Sequence, residues 1–281
     1  PFRPRVIVAT YRIHSGSATP VRSLVHDVSC IVAPGVFHPG LFCYFCSMQT
    51  IPDNLPAGFM NHLVHTCGCS GKETFLLTVS GGVDSMVMMR LFRENGLKFN
   101  VAHCNFNLRG KESDGDEEFV RLAALDSDAA FFSKRFDTKT YSREKGISIQ
   151  MAARELRYKW FEELCLEKQG DLIATAHNQD DSIETFLINL SRGTGITGLT
   201  GIRPRSGRII RPVLFLSRQE IQSYAGLKDI KWREDSSNRS LKYLRNRIRH
   251  VLLPEINKML TGFSSALIKT MAQLKESKDL L

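Results

Sequence analysis

Apolar and polar positions fall into two textures along the chain. Up to about residue 70 no long periodic segment emerges. Pro, Gly, His and Cys break the apolar runs, and the stretch from Leu24 to Ile51 is interrupted by Asp27, Pro34, His38 and Pro39. From Glu73 onward the pattern is regular. TFLLTV at 74–79 is a short apolar run that fits a buried strand. A 3.6-residue period predicts a helix over 84–93. A second strand follows over 99–104, and a helix over 113–125 with Ser113 as its N-cap. Strands are predicted over 130–136, 171–176 and 209–212. Helices are predicted over 149–167, with Leu156, Trp160 and Leu164 on one face, and over 179–190, 217–224 and 242–256.

Strands alternating with helices predict an α/β fold, a parallel twisted sheet with helices on both faces, followed by a small helical C-terminal segment. Ligands of such sheets bind beyond the carboxyl ends of the strands. The expected organisation has three parts: an atypical segment at 1–70, a catalytic domain at 71–215 and a basic helical segment at 216–281. The first part reads as a disordered or non-native extension, with Met60 a candidate start.

Composition narrows the class. Of 281 residues, 42% are apolar and 24% charged, which suits a soluble globular chain. No unbroken apolar run is long enough to cross a bilayer, and the N-terminus lacks a secretory pattern. The seven Cys are odd in number and scattered, against a secreted disulfide framework. A cytoplasmic location and no membrane partner are expected. The formal charge is +9, and residues 201–250 hold thirteen Lys and Arg against four Asp and Glu. So focused an excess is the footprint of a polyanion, although a solvated basic face has the same composition.

The sharpest motif is Ser80-Gly81-Gly82-Val83-Asp84-Ser85, between a predicted strand and a predicted helix. Paired glycines let backbone approach a ligand, and the helix offers free N–H groups and its positive end, so the loop forms a phosphate cradle. It lacks the Lys of a Walker A loop. His177, Asp181 and Glu184 are spaced to share one helical face, with Ile183, Leu187 and Leu190 directed to the core. Such carboxylates can bind a cationic amine and take its proton. Arg154 and Arg157, three apart, suit a phosphate or a developing oxyanion. Arg109 lies in a charged loop at 109–117 that can close over a ligand. Cys43-x-x-Cys46 and Cys67-x-Cys69 with His62 and His65 are a weak zinc candidate of unusual spacing. Gly193-x-Gly195-x-x-Gly198 follows a helix, the wrong place for a dinucleotide site.

The SGGxDS loop resembles the PP-loop of N-type ATP pyrophosphatases. Further stretches resemble the tRNA(Ile)-lysidine synthetase family over about residues 73–256: His103-Cys104-Asn105-Phe106-Asn107-Leu108-Arg109-Gly110, Ala153-Arg154-Glu155-Leu156-Arg157-Tyr158, Ala176 to Thr185, Arg192-Gly193-Thr194-Gly195, Arg211-Pro212, Asp235 to Asn238, and Arg245-Asn246-Arg247-Ile248-Arg249. That family commonly has His at the positions of Asn107 and Asn178 and Pro-Thr at Ser236-Ser237, and its full-length members carry further C-terminal domains. The resemblance implies that the 71–215 domain is an ATP-binding catalytic domain. ATP would adenylate the C2 oxygen of the wobble cytidine (position 34) of tRNA(Ile) with a CAU anticodon. Free L-lysine would then displace AMP to give lysidine.

By the same resemblance Ser80, Gly81, Gly82, Val83, Asp84, Ser85, His103, Asn105 and Arg109 bind the nucleotide, and Asp84 places Mg²⁺. Asp84, His177, Asp181, Glu184, Arg154 and Arg157 are the catalytic set. Asp181 and Glu184 take lysine, and Arg192, Arg245, Arg247 and Arg249 take tRNA. A homodimer stays open. The rival readings are tRNA thiolation, whose enzymes carry Lys in the loop, where this chain has Val83, and paired Cys, where Cys104 and Cys165 stand alone, and a catalytically impaired tRNA-binding fragment.

Overall fold

The structure, a computed structural model, describes residues 55–234, 241 and 243–280. The N-terminal segment to residue 54, Cys43 and Cys46 included, and the Asp235–Asn238 stretch lie outside the described residues. No described helix is long and apolar enough to cross a membrane.

Six strands form one sheet: β1 (Phe75–Thr78), β2 (Phe99–Asn105), β3 (Phe131–Arg135), β4 (Leu172–Thr175), β5 (Arg205–Ser206) and β6 (Ile209–Ile210), in the order β3-β2-β1-β4-β6-β5. Strands β1 to β4 and β6 run parallel, and β5 adds an antiparallel edge. The expected α/β architecture is present. β1 is central because FLLT is apolar on both faces, as a doubly covered strand must be. Phe75 and Leu77 join one core and Leu76 the other.

The first core is covered by α1 (Leu55–Asn61), α2 (Val83–Glu94), α3 (Lys111–Asp126) and α7 (Arg218–Leu227). The short α4 (Thr138–Lys145) leads into α5 (Ile149–Leu166), which covers the opposite core with Trp160, Phe161 and Leu164. A third cluster joins α6 (Gln179–Ser191) to α8 (Leu244–Arg247), a π-helical turn (Ile248–Leu252), α9 (Leu253–Met259) and α10 (Phe263–Asp279). Its buried members are Ile183, Phe186, Ile248, Leu253, Leu267 and Met271.

Several expectations are corrected. Residues 55–69 are no extension: Leu55, Phe59 and Leu63 are fully buried, and Cys67 and Cys69 lie in the same core. Leu55, Phe59 and Leu63 recur every four residues, so this is the apolar stripe of a helix, obscured in the sequence by Pro56, Gly58 and His62. No gap in packing follows residue 215, because Ile221, Tyr224 and Ala225 share the α2 core. Ser113 is not an N-cap. The helix begins at Lys111, and the Ser113 hydroxyl accepts from the Arg109 N–H at 3.3 Å. The helix expected over 242–256 is present from Leu244 to Met259, with a π-helical turn inside it. Pro254 has no N–H to donate, and the turn before it widens so that the Leu253 N–H reaches Ile248. Leu190 is exposed at the end of α6 rather than in the core.

The Phe59 ring meets Phe92 edge-on at 5.2 Å with no solvent exposure. We expect Phe59→Ala to cost about 3–5 kcal/mol in chemical unfolding. Unchanged stability would place α1 outside the core.

Candidate active site

The glycine turn expected to cradle phosphate is built where β1 ends. Gly81 adopts φ +89°, a region open to glycine, and a Cβ there would stand 3.4 Å from Val120. Gly82 is the N-cap of α2, so the free N–H groups of that helix face the turn. The Ser85 hydroxyl donates to Gly82 O at 2.9 Å and accepts from the Ser80 N–H at 3.3 Å, closing the turn from within. From far along the chain, the Arg233 N–H donates to Gly81 O at 2.9 Å, and its guanidinium reaches Asp116 at 2.5 Å. Nothing local in the sequence announces this strap.

Because β4 pairs with β1, the N-terminus of α6 opens beside this loop. Asn178 stitches the two together. Its side-chain oxygen accepts from the Asp181 N–H at 3.1 Å, and the Asp181 carboxylate accepts from the Asn178 N–H at 3.1 Å, a reciprocal cap. The remaining Asn178 amide donates to Asp84 at 3.0 Å. Asn178 is not among the expected site residues, although Asn-x-x-Asp before an apolar run is a legible cap signal. Asp84 also faces Arg218 at 3.5 Å. Burial raises its pKa, partly opposed by Arg218 and by the Asn178 hydrogen bond.

His177 is not on the helix as expected. It precedes the Asn178 cap, at the carboxyl end of β4, where its Nδ1 meets the Thr175 hydroxyl at 2.9 Å. Burial drives its pKa down to about 4. Asp181 opposes that shift, while Arg211, Arg245 and Arg154 reinforce it. The imidazole is therefore neutral at pH 7.

Glu184 and Asp181 do share one face of α6, but that face is filled from within. Arg249 grips Glu184 with two bonds, at 2.6 and 3.1 Å, and Asp181 with one, at 3.0 Å. Arg245 adds a contact to Glu184 at 3.4 Å and donates to Thr185 at 2.9 Å. The Glu184 carboxylate has no solvent exposure. Its burial raises its pKa and Arg249 pulls it back. Arg245 and Arg249, expected to follow RNA phosphates, thus neutralise the acids in this state, whereas Arg247 is exposed.

The other expected residues divide. His103 is buried at the end of β2, bonded to Val79 O at 2.8 Å, with its pKa lowered by burial. Asn105 donates to Glu117 at 2.8 Å and accepts from the Asn107 N–H at 3.0 Å, which pins the loop after β2. Arg109 is held by Glu112 at 2.8 Å and Asp116 at 2.9 Å. The mobile loop expected at 109–117 is helical from Lys111. Arg154 and Arg157 diverge: the first lies over the Tyr158 ring at 4.9 Å, the second over Phe106 at 5.1 Å. Arg192 sits at the far end of α6, about 20 Å from its N-terminus at 1.5 Å per residue. It is not brought to the site. Among the described residues no His, Cys, Asp and Glu gather as a metal cage, and Cys67 and Cys69 are buried free thiols.

A glycine turn between the first strand and its helix, in a parallel sheet and beside a capped acidic helix start, fits a nucleotide-handling class. The PP-loop domain family matches residues 57–256, and the chain belongs to that family. It is 46% identical over 204 residues to the tRNA(Ile)-lysidine synthase of Bacteroides thetaiotaomicron, covering 73% of this chain and 48% of that one. With the tRNA(Ile)-lysidine synthase of Chlorobaculum tepidum it shares 44% over 208 residues, covering 73% and 62%. The chain spans about half the length of the first of these relatives and under two thirds of the second. The U34-tRNA thiolase NcsA of Methanococcus maripaludis shares the fold, with a TM-score of 0.60 at 17% identity over 78% of this chain and 79% of that one.

A pH prediction follows from His177. Its folded pKa of about 4 lies below the ordinary 6.5, so the unfolded state takes the proton first as pH falls. The stability contribution is complete above pH 6.5 and is lost as pH drops toward 4. In denaturant titrations, His177→Gln should reduce the slope of stability against pH across that window. His103 and His62, both lowered by burial, add slope of the same sign. An unaltered slope would contradict the neutral imidazole.

Proposed function

We propose that this chain is the ATP-using part of a tRNA(Ile)-lysidine synthase. It would adenylate the C2 oxygen of the wobble cytidine of tRNA(Ile) bearing a CAU anticodon. It would then direct the amine of L-lysine onto the activated carbon. In the first step the cytidine oxygen attacks the α-phosphorus of ATP and pyrophosphate leaves. In the second the amine attacks C2 and AMP departs with that oxygen, so the ammonium must shed a proton. The observation that carries this reading is the Asp84–Asn178–Asp181 stitch. It ties the glycine turn to the carboxylates that suit an amine.

The residues divide the work. The N–H groups of 81–85 and the start of α2 would hold the leaving pyrophosphate. Asp84 is a partly exposed oxygen ligand beside that cradle, which fits Mg²⁺ bound through one carboxylate and substrate phosphates. The ion would offset phosphate charge there. Arg157, midway along α5, would take charge developing on the base and phosphate, while Arg154, near enough to act on His177, would face the amine substrate. Neutral His177 cannot be a strong base at pH 7, and serves to position the reactants. The proton falls to a carboxylate of raised pKa, of which Glu184 is the buried example. For lysine to enter, its ammonium must replace the Arg249 guanidinium on Asp181 and Glu184. The exposed Arg247 and the outward ends of α8 to α10 would meet the RNA backbone. Free in that way, Arg249 could join them.

Thiolation is disfavoured by the cysteines. Burial raises all four described thiols, Cys69 to about 11 and Cys104 to about 12, with Cys67 and Cys165 moved in the same direction. None is the accessible thiolate that sulfur transfer needs.

Release of pyrophosphate and AMP, measured separately with a cytidine-bearing tRNA transcript, tests the scheme. Asp84→Asn should lower both by about 100-fold or more. Asp181→Asn should keep pyrophosphate release and lose its lysine-dependent AMP release. Full turnover by Asp84→Asn would overturn the assignment. A chain that binds tRNA and releases neither product is a binding fragment.

A further inference from the structure

The site holds more positive charge than the phosphate loop and the acid pair explain. Arg211 directly follows β6 at its carboxyl end and is only 9% exposed. Its backbone is tied on both sides: the N–H donates to Pro204 O at 2.8 Å, and the C=O meets His62 Nε2 at 3.3 Å. One guanidinium nitrogen, Nη1, donates to Arg203 O at 2.6 Å. The Nε is fully buried without a partner. Among the described residues Arg211 makes no ion pair with a carboxylate. A buried guanidinium left without an anion is costly, and burial lowers even its pKa.

The neighbours share this character. The Tyr158 phenol oxygen lies near enough to Arg211 to favour its charge as an acceptor. Arg154 lies over the other part of Tyr158, its ring, and makes no ion pair among the described residues. The register Ala174 to Ile210 puts Thr175 beside Arg211, and the Thr175 hydroxyl joins Ile210 O at 3.4 Å to His177 at 2.9 Å. Two guanidinium groups, a phenol and a neutral imidazole thus meet at the ends of β4 and β6 with no acid among them. His177 feels both this cluster and the Asp181 carboxylate. An α-amino acid carries opposite charges at its own two ends.

We propose that Arg211, with Arg154 and the Tyr158 hydroxyl, is the subsite for the α-carboxylate of the amine substrate, across His177 from Asp181 and Glu184. This rests on the lysine reading above. A carboxylate suits the place better than a nucleotide phosphate. In the sheet order Arg211 follows the second strand over from β1, about 10 Å from the phosphate loop at ordinary strand spacing. A guanidinium N–H also forms a charge-assisted bond with a carboxylate oxygen.

Calorimetric titration of the chain with L-lysine, with 1,5-diaminopentane, which lacks the carboxylate, and with a non-hydrolysable ATP analogue tests the assignment. Wild type should prefer lysine over the diamine by about 10-fold or more. Arg211→Met should abolish that preference by weakening lysine alone, leaving diamine and nucleotide affinities unchanged. Arg211→Lys, which keeps the charge, should restore part of it. Should Arg211→Met fail to fold by circular dichroism, Arg211→Lys and Tyr158→Phe carry the test, each with a reduced lysine preference. An undiminished preference in the folded variants overturns the subsite, as does a loss of nucleotide affinity in place of lysine affinity. A wild type that binds the ATP analogue but neither amine sinks the lysine reading itself.

Discussion

Everything at this site depends on two parallel strands being neighbours. β1 ends in the glycine turn and β4 ends in His177 and the start of α6, so their pairing puts two helix N-termini side by side. Both ends are electropositive and short of hydrogen-bond acceptors. One is capped by its own side chains through the Asn178–Asp181 box, which leaves a carboxylate in place. The other is left open toward the turn. Asn178 then uses its last donor on Asp84 and makes the two ends one unit. A displacement at either end is felt at the other.

Charge near this unit is arranged in compensated groups rather than spread over a face. Arg233 and Arg109 share Asp116, and Arg249 and Arg245 share Glu184 with Asp181. The basic excess of the C-terminal half is therefore only partly available to a polyanion. A buried pair such as Arg249 with Glu184 contributes little net stability, but removing one partner strands the other. An exchange of cations on those acids is less costly than their exposure. Arg211 breaks this pattern, as a buried cation with no carboxylate partner among the described residues.

Much of this was legible in the sequence, for local reasons. The Gly-Gly turn stands between an apolar run and a periodic helix, so its place at the end of β1 followed from pattern alone. The 18-residue α5 declares itself by Trp160 and Leu164. What could not be read is long-range. Arg249 lies 65 residues from Glu184, and the sign of its charge fits an RNA phosphate as well as a carboxylate. The Arg233 strap on Gly81 uses a backbone N–H, which any residue but proline supplies. The α1 stripe was present at Leu55, Phe59 and Leu63, yet Pro and Gly between those residues gave it the texture of a loop. α4 has no apolar stripe, and only its Asp137 cap and the left-handed Gly146 mark its ends.

The most direct measurement is a crystal structure of the chain with a non-hydrolysable ATP analogue. The account predicts the β- and γ-phosphates on the N–H groups of residues 81–85, at about 2.7–3.2 Å, with the α-phosphate turned toward Asp84 and the α6 start. Phosphates bound elsewhere, with the 81–85 turn empty, would contradict it.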